Sequence, residues 1–403
     1  MKFLNRTIIL VLSLGLIFSL ATEKVVGESQ DITPPDPIAE TAAPIKEEVS
    51  KRTINIKQFL MSDFSMQAVI YPYAVHYTDN GVWKDIDNRI VESSVDATLV
   101  ENTANAFKVR FAKTTNADKL VSVTRGSLIL NWSLDSLSKT FIQVNSASNN
   151  AIDLTDTSQA KSWVTYPNVY PDTDLQYLLD GDVLKENFIL KSANAPTTFV
   201  QHLTLQKGSL QIDRGIISYL DEDGKVQLVM QPMMMSDAAG EMSDRVSFAL
   251  KQTKTGYDLT ISADPEWIKD PSRKFPIVVD PSVSSSVDPS VMDDAHVSSR
   301  FSGYNYGNSY ILKTGYGSSS YINRTFLRFA LPSLTSADMV IQSVMRMTVL
   351  SSTTVDPTNI QVNVHGVTGS WSEGTITWNT QPTHNTIIED FELVSASETV
   401  QWD

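Results

Sequence analysis

The sequence contains no cysteine. This absence excludes disulfide scaffolds, thiolate zinc sites, cysteine nucleophiles and a lipid-modified N-terminal cysteine. Basic residues are also scarce, because 32 Lys and Arg stand against 46 Asp and Glu and give a formal net charge of −14. Such a charge argues against sequence-independent binding of nucleic acid and against adhesion to anionic lipid. We therefore expect neither nucleic acid nor a membrane as a partner of the mature protein.

Long apolar runs are missing outside the N-terminus. Lys2 and Arg6 precede an apolar run over residues 8–21, which is too short to span a bilayer comfortably. The pattern predicts a secretory signal peptide over residues 1–27, cleaved after Ala21 or after Gly27, with a retained single-pass anchor as the alternative. We expect a secreted, extracellular protein associated with the cell wall, and the lack of cysteine favours a bacterial source.

Long helical periodicity is absent as well. Residues 28–52 combine four prolines with acidic and small residues, which predicts a disordered linker. From residue 53, short β-branched and aromatic runs alternate with turn signals such as Asn80-Gly81, Asp180-Gly181 and Asp223-Gly224, which predict β-hairpins. Only 236–243 and 265–270 are expected to form a turn or two of helix. The sequence thus predicts an all-β protein whose residues 53–281 form a β-rich region of one or two subdomains.

A serine-rich stretch around residues 282–286 predicts a second boundary. Beyond it, Ile360, Val362 and Val364 alternate with polar residues, as in a strand with one buried face. Several short strands at this spacing favour a jelly-roll-like β-sandwich over residues 286–403. Val400 and Trp402 begin a further alternation just before the sequence stops, so we expect an incomplete sandwich and hence a fragment of a longer protein.

Five ordered motifs in residues 286–403 resemble the DNRLRE-type domain, an extracellular bacterial β-sandwich classed with carbohydrate-binding modules. The motifs are Asp293-Asp-Ala-His-Val-Ser-Ser, Asn305-Tyr-Gly-Asn-Ser, Leu312-Lys-Thr-Gly-Tyr, Asn323-Arg-Thr-Phe-Leu-Arg-Phe and Trp371-Ser-Glu-Gly-Thr-Ile-Thr-Trp-Asn-Thr-Gln-Pro. The preceding region resembles the β-rich N-terminal region of wall-associated Rhs/YD-repeat proteins through Leu184-Lys-Glu-Asn-Phe-Ile-Leu and Phe275-Pro-Ile-Val-Val-Asp-Pro. The resemblance implies a carbohydrate-binding domain and, further along the parent proteins, repeats and a toxin that this chain lacks.

Aromatic residues concentrate in one segment, with eight in the 29 residues from 301 to 329. A tyrosine ring offers a rigid apolar face to a sugar ring and a hydroxyl to its equatorial groups. The alternative is that several of these tyrosines only cover the edge of the sandwich. The candidate glycan-binding residues are Tyr304, Tyr306, Tyr310, Tyr316 and Tyr321.

Catalytic and metal signals are sparse. We expect Ile376 and Trp378 to share a strand face and pack in the core, and Glu373 to accept backbone hydrogen bonds, because no second acid is paired with Glu373 by spacing. Asp293 and Asp294 are a candidate calcium site, since hard cations prefer carboxylate oxygens. The five histidines show no metal-ligand spacing, and nucleophile-elbow, phosphate-loop and dinucleotide motifs are absent. The sequence therefore predicts no enzyme, no catalytic residue and no cofactor other than this calcium.

The leading hypothesis is a non-catalytic N-terminal part of a secreted wall-associated protein that binds polysaccharide or cell-wall glycan. The alternative is a structural or adhesin spacer that packs against a missing YD-repeat shell and binds no sugar. A third hypothesis, a polysaccharide-degrading enzyme with an appended binding module, requires an acid/base pair in the β-rich region, where Asp and Glu lie mostly at turn positions.

Overall fold

The chain divides into two compact units. In the computed structural model the described residues are 6–21, 42–135, 138–146, 157–213, 216–230, 233–239, 241–281, 283–284, 292–307, 309, 311–316, 321–336, 338–352, 360–394 and 399–402. The split unit comprises Met1–Pro72 and Pro289–Asp403, and the central unit comprises Tyr73–Asp288. The predicted domain limits stay a prediction, and residues 42–72 fall in the same unit as the C-terminal region.

Strands make up almost all of the regular structure. The split unit begins with β1 (Arg6–Ala21), β2 (Pro44–Glu47), β3 (Ile56–Met61) and β4 (Met66–Ile70). The central unit contains β5 (His76–Asp79), β6 (Val82–Asp85), β7 (Asp87–Glu92), β8 (Leu99–Ala104), β9 (Lys108–Ala112), β10 (Val121–Arg125), β11 (Leu128–Leu134), β12 (Gln143–Asn145), β13 (Lys161–Tyr170), β14 (Thr173–Asp180), β15 (Val183–Leu190), β16 (Thr198–Gln206), β17 (Gly208–Asp213), β18 (Ile216–Asp221), β19 (Val226–Met230), β20 (Met234–Ser236), β21 (Met242–Ser243), β22 (Val246–Gln252), β23 (Tyr257–Ala263), β24 (Ile277–Asp280) and β25 (Val283–Ser284). The split unit resumes with β26 (Met292–Ser298), β27 (Ile311–Tyr316), β28 (Ile322–Phe329), β29 (Asp338–Ser352), β30 (Ile360–Val364), β31 (Asp390–Val394) and β32 (Thr399–Trp402). The described helices are α1 (Pro265–Ile268) and the 3-10 turns Val49–Lys51 and Ser158–Ala160. The predicted all-β class is confirmed.

The central unit is built from two large sheets that share one core. An eight-stranded sheet has the order β22-β23-β16-β11-β10-β9-β8-β7, and an eleven-stranded sheet contains the run β12-β13-β14-β15-β25-β19-β18-β17. Along β14 and β15 the side chains alternate between buried and half-buried, as period two requires of a strand with one core face. Leu130 of the first sheet and Tyr177 and Phe188 of the second belong to the same buried cluster.

The predicted hairpins form where the turn residues stand. Asp180 pairs with Val183 across the turn, and Gly181 there has a φ of 57°. Asn80 and Gly81 both have positive φ between β5 and β6, which is the geometry of a tight two-residue hairpin. Helix α1 lies within the predicted 265–270 turn and is capped by the Asp264 side chain. The predicted helical turn at 236–243 is wrong, because β20 and β21 pair there instead.

The split unit is organised around a nine-stranded sheet that includes β26, β27 and β28. Strand β26 pairs antiparallel with β28, so that Asp293 faces Arg328 and Ala295 faces Phe326. Ile56 of β3 and Ile70 of β4 pack with Phe329, the last residue of β28. Strands β30 and β31 form a separate two-stranded sheet.

Two segments near the N-terminus form strands of the split unit. Arg6–Ala21, predicted as part of a signal peptide, forms β1 and pairs in parallel with β4, β27 and β29. The predicted linker lies outside the described residues up to residue 41, but Pro44–Glu47 forms β2 and pairs with β3. Arg52 also donates to the Glu47 carboxylate at 2.6 Å. No helix in the described part of the chain is long and apolar enough to cross a membrane.

Candidate functional site

The candidate tyrosines that the structure describes occupy different parts of the split unit. Tyr304 and Tyr306 lie in the loop after β26, and Tyr321 lies just before β28. Tyr316 ends β27, but its side chain is not among those described, and Tyr310 lies outside the described residues. The structure therefore locates three of the five rings.

Tyr304 and Tyr306 form an aromatic pair. Their ring centroids lie 4.7 Å apart at an interplanar angle of 58°. Tyr306 also stacks on the buried His296 of β26, with centroids 4.2 Å apart, so the sheet fixes its orientation. Tyr304 is 38% exposed and presents its ring to solvent. Tyr321 has a different neighbour, since the Arg300 guanidinium lies 5.6 Å from its ring.

The loop that carries this pair is joined to a second loop by main-chain contacts. The Asn305 side-chain amide donates to the carbonyls of Glu373 and Ile376, each at 2.7 Å, and the Asn379 amide donates to the Ser302 carbonyl at 3.1 Å. At Gly307 a Cβ atom would lie 2.3 Å from the Glu373 carbonyl oxygen, so only glycine permits this approach. We call residues 301–307 and 371–381 together the loop platform.

Two arginines of β28 hold the tryptophans of the second loop. The Arg328 guanidinium lies 5.3 Å from the Trp371 ring centroid and donates to the Trp371 carbonyl at 3.0 Å. The Arg324 guanidinium lies 5.1 Å from the Trp378 ring centroid. Both are cation–π contacts, which orient the indole rings. Because Arg324 and Arg328 are four residues apart on a strand, they share one face.

The predicted strand through Ile376 and Trp378 is wrong, because residues 371–380 contain turns at 373–375 and 378–380 and no strand. Ile376 is nevertheless buried with Ala295, Val297 and Phe326, so its predicted core role is confirmed. Trp378 is half-buried and packs against the same cluster, with Arg324 over its ring, so its predicted packing in the core is confirmed in part. Sequence reasoning missed both arginines, although their period-two spacing within the Asn323–Phe329 motif was a usable signal.

The carboxyl groups of Asp293, Asp294 and Glu373 lie close enough to influence one another's ionisation. Arg328 donates to the Asp293 carboxylate at 2.7 Å. Burial and the neighbouring Asp293 charge raise the pKa of Asp294 to about 6. Burial, followed by the charges of Asp294 and Asp293, raises the pKa of Glu373 to about 8, although the Asp294 backbone amide donates to it. Glu373 thus accepts a backbone hydrogen bond as predicted, and the fold also gives it the second acid that sequence spacing did not reveal.

The aromatic and cationic side chains of the platform offer contacts that a ligand could use. Aromatic rings and guanidinium groups suit the apolar faces and polar substituents of sugars. Among the described residues no group of three or more His, Asp or Glu is arranged to hold a metal ion. The cavity in the central unit, lined by Trp132, Glu186 and Tyr219 among others, has a volume of about 10 Å³ and accommodates no more than a water molecule.

Residues 285–403 match the family model of carbohydrate-binding module family 96. The predicted resemblance to a carbohydrate-binding module is confirmed for this region. The resemblance of the preceding region to Rhs/YD-repeat proteins stays a prediction.

Curated relatives are similar over most of this chain. The chain is 27% identical over 410 residues to the tRNA3(Ser)-specific nuclease WapA of Bacillus spizizenii, covering 91% of this chain and 16% of that protein. It is 27% identical over 373 residues to the tRNA nuclease WapA of Bacillus subtilis, covering 84% of this chain and 15% of that protein. The chain therefore spans about one sixth of the length of these relatives. No solved structure matches.

Proposed function

We propose that this chain is the non-catalytic N-terminal part of a secreted, wall-associated protein that binds polysaccharide or cell-wall glycan through residues 286–403. The observation that carries the proposal is the loop platform, in which the Tyr304–Tyr306 pair and two arginine-stacked tryptophans stand on loops joined by main-chain contacts. The match of the same region to a carbohydrate-binding module family supports it independently.

The chemistry of the platform suits a carbohydrate chain. Sugar C–H faces pack on aromatic rings, while guanidinium groups donate hydrogen bonds to hydroxyl or carboxylate oxygens. Asn305 and Gly307 hold the two loops together before any ligand arrives. Binding then requires little ordering of the loops, which favours affinity in a shallow site.

The secretion and wall association in this proposal are supported by the amino-acid sequence. Lys2 and Arg6 before the apolar run of residues 8–21 support export, and removal of a leader would remove β1 from the sheet. N-terminal sequencing of the exported protein tests this point. A start at residue 22 or 28 supports it, and an intact Met1 in protein recovered from the culture medium contradicts it.

A second candidate function is a structural spacer that packs against another protein. It is favoured by exposed apolar side chains at the beginning of β29 and just before it. Exposed apolar surface is a feature of protein interfaces. The residues are Leu331, Leu334, Met339, Val340 and Ile341, which are 46% to 62% exposed.

A pull-down of the purified chain with insoluble peptidoglycan and a panel of acidic and neutral polysaccharides separates the two functions. Replacing both Tyr304 and Tyr306 with Ala is expected to weaken retention at least tenfold. The matched control is Phe141→Ala, since Phe141 is 67% exposed but lies in the central unit. Equal retention of the double variant contradicts the platform as the binding face, and no retention on any polymer favours the spacer.

The calcium candidate at Asp293 and Asp294 stays a proposal. Arg328 already neutralises Asp293, so a bound ion would have to compete with this ion pair. Calcium would favour the ionised form of Asp294 and so oppose the burial that raises its pKa. A rise in melting temperature with calcium but not with magnesium supports the site, and identical melts in calcium and in a chelator contradict it.

A further inference from the structure

One strand of the split unit is paired differently from the rest. Strand β1 pairs in parallel with β4, β27 and β29, whereas every other strand pair described in the split unit is antiparallel. Its register against β29 also shifts at three points. Because parallel pairs are slightly less stable per residue than antiparallel pairs, a strand of the opposite direction would suit the position of β1 better.

Cleavage of the leader exposes one edge of β29. Strand β1 pairs with β29 from Asp338 to Ser352, so its removal leaves backbone N–H and C=O groups along this edge without partners. The opposite edge of β29 is covered by β32 only from Met345 to Thr348. Such unpaired groups are a template for pairing with another strand. The exposed edge depends on the export and cleavage in the proposed function.

The first half of β29 also carries exposed apolar side chains. Met339, Val340 and Ile341 are 46% to 53% exposed even while β1 is present. Met339 and Val340 are adjacent in the strand, so their side chains point to opposite faces of the sheet. Exposed apolar side chains on an unpaired edge favour the addition of a further strand.

The sequence of β29 is self-complementary around Gln342. If two copies of the strand run antiparallel about this residue, Asp338 of each copy lies opposite Arg346 of the other. Opposite charges that face each other across two strands stabilise the pair. The pairs between these charges join identical residues or a small residue with an apolar one: Met339 with Met345, Val340 with Val344, Ile341 with Ser343, and Gln342 with itself. The pattern therefore favours a second copy of this chain as the partner.

The two charged side chains already lie beside the strand. The Thr335 amide and hydroxyl donate to Asp338 Oδ2, each at 2.8 Å, and Arg346 Nε donates to Gln401 Oε1 at 3.1 Å. A carboxylate accepts several hydrogen bonds, and a guanidinium donates several. These contacts are therefore compatible with an Asp338–Arg346 ion pair between two copies.

We propose that the exported protein forms a dimer in which β29 pairs antiparallel with β29 of a second copy, at the position that β1 leaves. The interface is isologous, because both copies contribute the same strand. It supplies hydrogen-bond partners to the exposed edge. It also gives that position the antiparallel direction that the other strand pairs of the split unit have.

Sedimentation equilibrium of the exported chain, after N-terminal sequencing of the same sample, tests the dimer. Asp338→Arg and Arg346→Asp alone place like charges opposite each other, so each is expected to weaken dimerisation about tenfold. The double variant restores opposite charges and is expected to recover the native affinity. Lys251→Asp is the matched control, since Lys251 is exposed but lies in the central unit.

The outcomes separate the dimer from the proposed function. A double variant that dimerises no better than the single ones overturns the dimer. Intact Met1 contradicts export and overturns the dimer with it. A cleaved but monomeric chain overturns the dimer alone and leaves the export and glycan-binding proposals standing.

Disulfide trapping gives a second readout, because the chain contains no cysteine. In the proposed register, residue 342 of one copy lies opposite residue 342 of the other with Cβ atoms about 5 Å apart, so Gln342→Cys is expected to form a disulfide between copies on mild oxidation. Ser343→Cys is the matched control, because Ser343 lies opposite Ile341 and not opposite itself. Equal cross-linking of both variants, or none in either, overturns the proposal.

Discussion

At the scale of single residues, the central unit contains a carboxyl group in its core. Glu186 is 3% exposed and accepts hydrogen bonds from Tyr177 at 2.5 Å and from the side chain of Gln201. Trp132 Nε1 donates to it at 3.3 Å. Burial is the main cause that raises the pKa of Glu186 to about 7, while these hydrogen bonds lower it and the charge of Asp280 raises it. Ionisation of the Glu186 carboxyl group therefore makes the stability of the core depend on pH.

Replacing Glu186 with Gln should remove a pH dependence of stability. The folded state binds a proton more tightly than the unfolded state, so the free energy of unfolding of the native chain falls as pH rises from about 4.5 to about 7. Gln does not ionise, so the free energy of unfolding of the variant does not fall in this way. The variant should be more stable than the native chain by about 3 kcal/mol at pH 8, with little difference at pH 4. Urea unfolding of both proteins across this range measures it, and parallel stability curves would contradict it.

Replacing His202 with Gln should destabilise the protein, whereas the Glu186 substitution stabilises it. Hydrogen bonds to Asp135 and Asp258 raise the pKa of His202. Its contribution to stability is therefore fully present below the unfolded pKa near 6.5 and is lost as pH rises through the higher folded value. Because the side chain is 41% exposed, we expect His202→Gln to cost no more than about 1 kcal/mol at pH 6 and nothing at pH 9. Chemical denaturation at the two pH values measures the difference, and an equal cost at both would exclude the charge effect.

At the scale of elements, the joint between the two platform loops depends on one glycine. A Cβ atom at Gly307 would collide with the Glu373 carbonyl and force the loops apart. Gly307→Ala should therefore lower the melting temperature and reduce glycan retention severalfold. Gly374→Ala is the matched control, because a Cβ there meets no atom within 4 Å. Equal effects of the two substitutions would show that the close approach at Gly307 is unimportant.

Elements governed by local signals could be predicted from the sequence. The Asp180-Gly181 and Asp223-Gly224 hairpins form as expected because glycine adopts the positive φ that each turn requires. The Ile376–Trp378 spacing predicts a strand, yet residues 371–380 contain two turns and no strand. Their conformation is set by Asn305 and Arg328, which are remote in sequence. Strand propensity yields to such tertiary contacts.

At the scale of the whole molecule, the central unit has a complete core of its own. Its buried cluster extends from Ile90 to Val283 and joins both large sheets. A protein limited to residues 73–288 should therefore fold alone, with a cooperative thermal transition and a β-type circular dichroism spectrum. A gradual transition in this piece would contradict the prediction.

The C-terminal region by itself serves as the comparison. Residues 289–403 without β3 and β4 lose the side chains of Ile56 and Ile70 that pack with Phe329. They also expose unpaired strand edges, which favours aggregation. This piece should show no cooperative transition, whereas a sharp melt would mean that the region is self-sufficient.

The sequence by itself determined the all-β class, the hairpins and the carbohydrate-binding-module resemblance, because period-two patterns, turn residues and ordered motifs are local properties of the chain. Tertiary structure alone decided which side chains meet. It paired Glu373 with Asp294, stacked Arg324 and Arg328 on tryptophans, and brought His365 beside His384. Such neighbours depend on strand register and loop path, and these are fixed by packing between residues tens of positions apart.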